Sequence, residues 1–402
     1  MPLNLSNIAL NIAPSATLAM DTKAKELIAA GYDVIKFGVG EPDFDTPAFI
    51  RDAAKNAIDA GKTRYTAVAG TIELRREIAK KFSKDNGLEY DPMGEIIVSA
   101  GAKPVIFTAL CAILNPGDEV ILPSPCWVSY PEMVQMAGGV PVFAPTSAEK
   151  GFVYTADDIR PFVTGKTKAI IINSPSNPNG CILSREILQG LADLAVEKEF
   201  YVISDEIYEK LIYDGEEHVS IASLGEQIKQ QTIVINGVSK TYAMTGWRIG
   251  YAAGPRSVIK LMTSYQSHAA SNPNSVAQEA AAVALAAGDA PCVMEMVDEF
   301  DARRKLMHAM VNDIPGINAH MPKGAFYLMM NISGIIGKKY QGKEITGSES
   351  FANMLLESKY VATVAGKSFG DDNHLRLSYA TSRMNIKNGI ERIAAFVSEL
   401  TD

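Results

Sequence analysis

From Glu95 to Ala252 the chain repeats one pattern, a short apolar run followed by a segment with helical spacing. Several runs are apolar at every position, as in Ala169-Ile170-Ile171-Ile172, instead of alternating with polar residues. A strand apolar on both sides is buried on both sides, and strands separated by helices pair mostly in parallel. The pattern therefore predicts an α/β fold, with a mostly parallel sheet sandwiched by helices. The expected strands are Glu95–Ser99, Glu119–Leu122, Val140–Phe143, Lys168–Asn173, Phe200–Ser204, Thr232–Asn236 and Arg248–Ala252. Helices are expected at Lys103–Leu114, Val128–Ala137, Arg185–Lys198 and Arg256–Gln266.

After Ala290 the pattern changes. A long helix, about Val293 to Asn312, leads to strands near Phe326–Met330, Val361–Val364 and Leu375–Tyr379, with helices near Ser348–Ser358 and Ile386–Leu400. This reads as a smaller α+β domain. A chain of 402 residues exceeds one ordinary domain, so a division is expected on length as well. The expected large domain is 48–290, opening with a helix at Ala48–Ala60. The segments 1–47 and 291–402 form the small one.

Composition narrows the function classes. The chain is 47% hydrophobic and 21% charged, with a net charge of -8 and no basic stripe, which argues against nucleic acid as the main partner. Met1 to Ala19 lacks the basic start and unbroken apolar stretch of a signal peptide, and no run of about 18 apolar residues suggests a membrane span. Cys111, Cys126, Cys181 and Cys292 are scattered without metal-ligand spacing. They read as reduced thiols of a cytoplasmic protein with no metal site.

The residues that carry chemistry sit where strands end, which is where open α/β sheets place their sites. Ser99-Ala100-Gly101-Ala102-Lys103 follows one strand and opens a helix, so small residues bring backbone N–H groups and a helix N-terminus to an anion. Asn177 lies in the loop Asn173–Gly180, stiffened by Pro175 and Pro178. Asp205 ends another strand, with Tyr208 three residues on; a carboxylate there suits a protonated ring nitrogen. Ser239-Lys240 follows the run Thr232–Asn236, and Arg248 comes eight residues after the lysine. An amine that bonds an aldehyde and a guanidinium that holds a phosphate fit that spacing. Each signal has an ordinary structural alternative; their order along the chain does not.

In that order the chain resembles the class I/II aminotransferases of pyridoxal-phosphate fold type I. The resemblance runs from Gly38-Val39-Gly40-Glu41-Pro42-Asp43-Phe44 to Leu375-Arg376-Leu377-Ser378-Tyr379-Ala380. It is nearest to bacterial aspartate aminotransferases carrying Pro14-Ser15-Ala16-Thr17 and Trp127-Val128-Ser129-Tyr130-Pro131-Glu132. The resemblance implies pyridoxal 5'-phosphate as cofactor and Lys240 as its Schiff-base lysine and proton shuttle. It implies that Asp205 meets the pyridine nitrogen, that Tyr208 and Asn177 meet the phenolic oxygen, and that Trp127 stacks on the ring. Arg248, Ser239 and the amides of Gly101, Ala102 and Lys103 would hold the phosphate, joined by Tyr65 of a neighbouring subunit, which makes the expected assembly a homodimer with shared sites. Arg376 would grip the substrate α-carboxylate, and Gly40 lets backbone pass close to the substrate. One departure stands out: many relatives have a serine three residues before the lysine, and this chain has Gly237.

The substrate reading rests on Ser15, Thr17 and Lys103, which in the similar subgroup meet the distal carboxylate of an acidic substrate. Transfer of the amino group of L-aspartate to 2-oxoglutarate is the leading expectation. An aminotransferase for aromatic or neutral amino acids is the alternative. Added prephenate activity is not favoured, because Ile12 and Ala13 stand where prephenate-accepting relatives carry a basic residue. A lyase on this scaffold and a transcription regulator remain as further classes; the regulator needs a basic module that the residues before Glu41 do not provide.

Overall fold

The computed structural model describes residues 5–402. All seven strands expected in the first half are present, as Ile96–Ser99, Glu119–Ser124, Val140–Pro145, Thr167–Asn173, Tyr201–Asp205, Thr232–Gly237 and Gly250–Ala253. They form one sheet in the spatial order 96, 250, 232, 201, 167, 119, 140, named by first residue. Strand 250 runs antiparallel to both its neighbours, and all other pairs are parallel.

The apolar strands are buried on both faces, as their composition requires. In the strand Thr167–Asn173, Ile170 and Ile172 pack in one core with Leu188 and Leu191 of the helix Arg185–Lys198. Ala169 and Ile171 point the other way, into a core with Val105 and Leu110 of the helix Ala102–Ile113. Alternate residues feed opposite cores because side chains in a strand alternate faces. The register sets Asn173 beside Asp205, and Asp205 beside Ile235, so the parallel strands finish along one edge.

Beyond the long helix Pro291–Asn312 lies a four-stranded antiparallel sheet, in the order Val364–Ala365, His374–Ser378, Tyr327–Asn331, Asn318–Ala319. It shares a core with Phe300 and Met307 of that helix and Ile386, Ile390 and Ile393 of the helix Arg383–Ser398. The N-terminal part meets this region: Ile35–Lys36 pairs in parallel with Val361–Ala362, and Ala24 of the helix Ala16–Ala29 packs with Leu356 and Ala362.

Three expectations need correction. The strand expected at Val361–Val364 is two strands in two sheets, with buried Thr363 at the changeover. The strand expected to begin at Arg248 begins at Gly250, because Arg248 is left-handed (φ 56°) at the end of a short 3-10 turn. Two helices of the first region, Ile72–Asn86 and Ser275–Ala287, were not expected. The first is dense in charged residues but is well capped, by Thr71 at its start and left-handed Gly87 at its end. Among the described residues no single helix is long and apolar enough to cross a membrane.

Candidate active site

A cavity of about 410 Å³ opens at the carboxyl edge of the parallel strands, against the antiparallel sheet. It gathers most of the residues singled out from sequence: Ser15, Thr17, Gly40, Ala102, Lys103, Trp127, Asn177, Asp205, Tyr208, Ser239, Lys240, Arg248 and Arg376. Two do not line it. Gly101 lies just behind Arg248, and Tyr65 is 90% exposed.

Lys240 leaves the sheet just past the strand Thr232–Gly237, and its amine donates to the carbonyl of Gly40. Burial pushes its pKa down to about 8; Glu41 opposes this, while Arg248 and Arg376 add to it. A lysine with its pKa near 8 is free amine for roughly a tenth of the time at pH 7, far more than an ordinary lysine, and that is the form that attacks a carbonyl or takes a proton.

Asp205 is fully enclosed. Its Oδ2 accepts from the Tyr130 hydroxyl at 2.6 Å and its Oδ1 from the Ile207 amide at 3.3 Å. Asn173 donates from its side chain to the Asp205 carbonyl at 2.9 Å and accepts from the Asn177 amide at 2.7 Å. Burial raises the Asp205 carboxyl to about 6, although the Tyr130 hydrogen bond pulls the other way. A buried carboxylate held this firmly is stabilised by a cation beside it, such as a protonated ring nitrogen. Tyr208 shares a 3.0 Å hydrogen bond with the Tyr327 hydroxyl, and burial holds its own ionisation far above the ordinary range.

The opposite end of the cavity is an anion cradle. The helix Ala102–Ile113 starts with Gly101 as its N-cap, and no side chain closes the first turn. Its amides and positive dipole end therefore stay open to an anion. Gly101 is at φ 101°, and a Cβ there would lie 2.3 Å from Arg248 Nη2. The left-handed turn at Arg248 folds its guanidinium back to the carbonyls of Thr245 (2.9 Å) and Ala100 (3.3 Å). Gly237 has a steric cause. A Cβ there would sit 3.0 Å from the Ile249 carbonyl oxygen and 3.1 Å from Gly250 Cα, so a serine has no room without a shift.

Arg376 lies on the strand His374–Ser378, opposite Met329. Nη1 donates to Asn177 Oδ1 and Nη2 to the Gly38 carbonyl, both at 2.9 Å, and its guanidinium stacks 4.4 Å over the Tyr327 ring. It is 2% exposed, its Nε has no partner, and no carboxylate pairs with it. A buried guanidinium with no counter-ion is costly unless an anion arrives, and its planar donors suit a carboxylate.

On the remaining wall, Ser15 precedes the helix Ala16–Ala29 without capping it through its side chain, and its hydroxyl is 3.5 Å from that of Thr17. Lys103 lies 4.8 Å over the Trp127 ring, and burial lowers its pKa. Sequence reading missed Tyr130, Asn173 and Tyr327. The i, i+3 spacing of Trp127 and Tyr130 was the one available signal, since it puts both on one side of a helical turn.

An aldehyde, a basic ring nitrogen and a phosphate on one small molecule would meet the amine, the carboxylate and the cradle together, and pyridoxal 5'-phosphate carries all three. The residues present fit that group, so fold and site define an enzyme that works with it. Comparison with known proteins narrows the class further. The family model for aminotransferase class I and II matches residues 32–393, and the chain belongs to that family. An aspartate aminotransferase of Bacillus sp. is 48% identical, covering 98% of this chain and 99% of the relative. An aspartate/prephenate aminotransferase of Cereibacter sphaeroides is 45% identical, covering 99% of each. The solved aspartate aminotransferase of Thermus thermophilus with maleate superposes with a TM-score of 0.92 at 43% identity, over 98% of this chain and 100% of that one.

Proposed function

We propose that this aminotransferase moves the amino group of L-aspartate to 2-oxoglutarate, giving oxaloacetate and L-glutamate. The observation that carries the reading is the pairing of buried, unpaired Arg376 with Lys103, Ser15 and Thr17 on the same cavity. A dicarboxylate needs two such holds, one for each end. The relative named for aspartate and the solved relative with maleate, itself a dicarboxylate, support it.

Pyridoxal 5'-phosphate, when bound, supplies an electron sink for the pair left behind at the substrate α-carbon. The chain's own residues do the rest. Arg376 binds the α-carboxylate and, with Asn177, fixes the substrate's orientation. Gly40 keeps its backbone close to the site, and a side chain there is excluded by the Tyr327 hydroxyl, which a Cβ would meet at 2.8 Å. Lys240 takes the proton from the α-carbon and returns it, as its lowered pKa allows. Asp205, held by Tyr130, would keep the proton on the ring nitrogen. Tyr208 would donate to the phenolic oxygen, with Asn177 as a second contact. Trp127 would stack on the ring and exclude water from one face. Arg248, Ser239 and the amides of Gly101, Ala102 and Lys103 would hold the phosphate, joined by Tyr65 of a second subunit.

That last role makes the unit a homodimer with shared sites, consistent with a tyrosine 90% exposed in one chain. The division into 48–290 and 1–47 with 291–402 follows the two sheets. A cytoplasmic location and the lack of nucleic-acid, membrane or metal partners rest on composition.

Turnover of aspartate with 2-oxoglutarate tests the reading, and aspartate alone should convert bound cofactor to its amine form, seen by absorbance. A preference for phenylalanine or alanine above about tenfold, near 1.4 kcal/mol in transition-state binding, would overturn the substrate. Prephenate belongs in the acceptor panel because four relatives are named for it; Ile12 and Ala13 predict little activity.

A further inference from the structure

The turn after the strand Tyr201–Asp205 has two faces. Asp205 and Tyr208 line the cavity; Glu206 and Glu209 do not, and are 1% and 5% exposed. These two carboxylates enter a second polar cluster that the proposed chemistry leaves unused. Glu206 Oε1 accepts from the hydroxyls of Ser204 (2.8 Å) and Ser220 (2.7 Å), and its Oε2 faces His218 Nε2 at 3.1 Å. Glu209 pairs with the Lys81 ammonium, accepts from Asn86 Nδ2 at 3.1 Å, and lies 3.9 Å from the same His218 nitrogen. His218 thus spans both carboxylates of one turn.

The ligand atoms of Glu206, Glu209 and His218 all lie within 4.8 Å of one another, close enough to hold a metal ion. Lys81 already sits on Glu209, so the cation of this cluster is built into the chain. A buried set of charges is a poor way to gain stability, because apolar side chains of the same volume do as well or better. Its value lies in fixing geometry. Main-chain bonds make the turn stiff: Glu206 N donates to the Ile235 carbonyl (2.9 Å), Glu209 N to that of Glu206 (3.0 Å) and Leu211 N to that of Tyr208 (2.8 Å). In a stiff turn, holding the two outward side chains sets where the two inward ones point.

We propose that His218, by bridging Glu206 and Glu209, is a positioning residue that holds Asp205 and Tyr208 in register with the cofactor. The proposal rests on the roles given above to Asp205 and Tyr208. Those roles are tested separately: if Asp205→Asn and Tyr208→Phe leave the visible absorbance of the holoenzyme and its pH dependence unchanged, they fail whatever His218 does.

The experiment compares holoenzymes carrying His218→Leu, His218→Gln and Ser220→Ala with the parent by melting, steady-state kinetics and pH titration of the bound cofactor's visible absorbance. His218→Leu should lower kcat about tenfold with little change in KM, as for a small misplacement of reacting groups. It should also move the titration midpoint by about half a pH unit or more. His218→Gln keeps an N–H toward Glu206 and should recover most of both. Ser220→Ala removes one donor from Glu206 and should shift the midpoint in the same direction by less. If His218→Leu melts lower but keeps the parent's midpoint and kcat, the cluster is structural only and the proposal is overturned. Should His218→Leu not fold, Ser220→Ala decides, and an unmoved midpoint overturns it.

Discussion

The two walls of the cavity hold their key groups differently. On the parallel-sheet wall two groups are cross-braced: Asp205 by Tyr130, Ile207 and Asn173, and Arg248 by two carbonyls. On the opposite wall Arg376 rests on one side chain and one carbonyl, and keeps an unpartnered Nε. The helix Ala16–Ala29, which brings Ser15 and Thr17, packs on a small core, and its Leu18 is 67% exposed. One wall is finished before any ligand arrives; the other has donors to spare. A cofactor that stays bound needs the first kind of surface, and a substrate that must come and go needs the second.

The sharpest break in this comparison is Lys240→Ala. It should keep the fold and bind cofactor, yet lose turnover by about a thousandfold or more, measured as glutamate formation. Next comes Arg376→Lys, which leaves a charge but no planar fork; kcat/KM for aspartate should fall about a hundredfold, a loss of ~2.7 kcal/mol. Lys103→Ala should raise KM for aspartate by about tenfold and leave that for alanine unchanged, if Lys103 meets the distal carboxylate.

Two smaller effects concern the finished wall. In cofactor-free protein the carboxyl of Asp205 is raised to about 6 from an ordinary 3.8, so the folded state disfavours its charge. The penalty is present above pH 6 and vanishes below about pH 4, as the unfolded chain also becomes protonated. Asp205→Asn should therefore melt above the parent at pH 7 to 8, and the gap should close toward pH 4. Gly237→Ser should cost about 1–3 kcal/mol of stability, read by denaturant unfolding, because its Cβ meets backbone at 3.0 Å.

The parallel sheet was legible because strands apolar on both faces admit few arrangements, and most strand ends fell within one or two residues of expectation. The helix Ile72–Asn86 was not, since its charges, two of them buried at Arg75 and Lys81, mask the buried apolar positions Leu74, Ile78 and Phe82. In the site, Lys240 and Asp205 stood out because they follow apolar strands in a telling order, and Arg376 came with the family resemblance. Tyr130 and Tyr327 did not: a tyrosine in a core needs no special reason, and the Tyr130–Asp205 bond joins residues 75 apart. Gly237 read from sequence only as a departure from relatives that carry a serine. The structure adds that Ile249 and Gly250 pack closely against it, so a side chain there needs its neighbours to shift by a few tenths of an ångström.

Gly38 and Gly40 each give a carbonyl to a different active group, the first to Arg376 and the second to Lys240. Val39 alone separates them, so the two ends of the substrate's α-carbon chemistry are yoked through a single short crossbar. The carbonyl that takes Arg376 and the carbonyl that takes the resting amine thus belong to one three-residue segment, so a change at any of its residues would touch both groups.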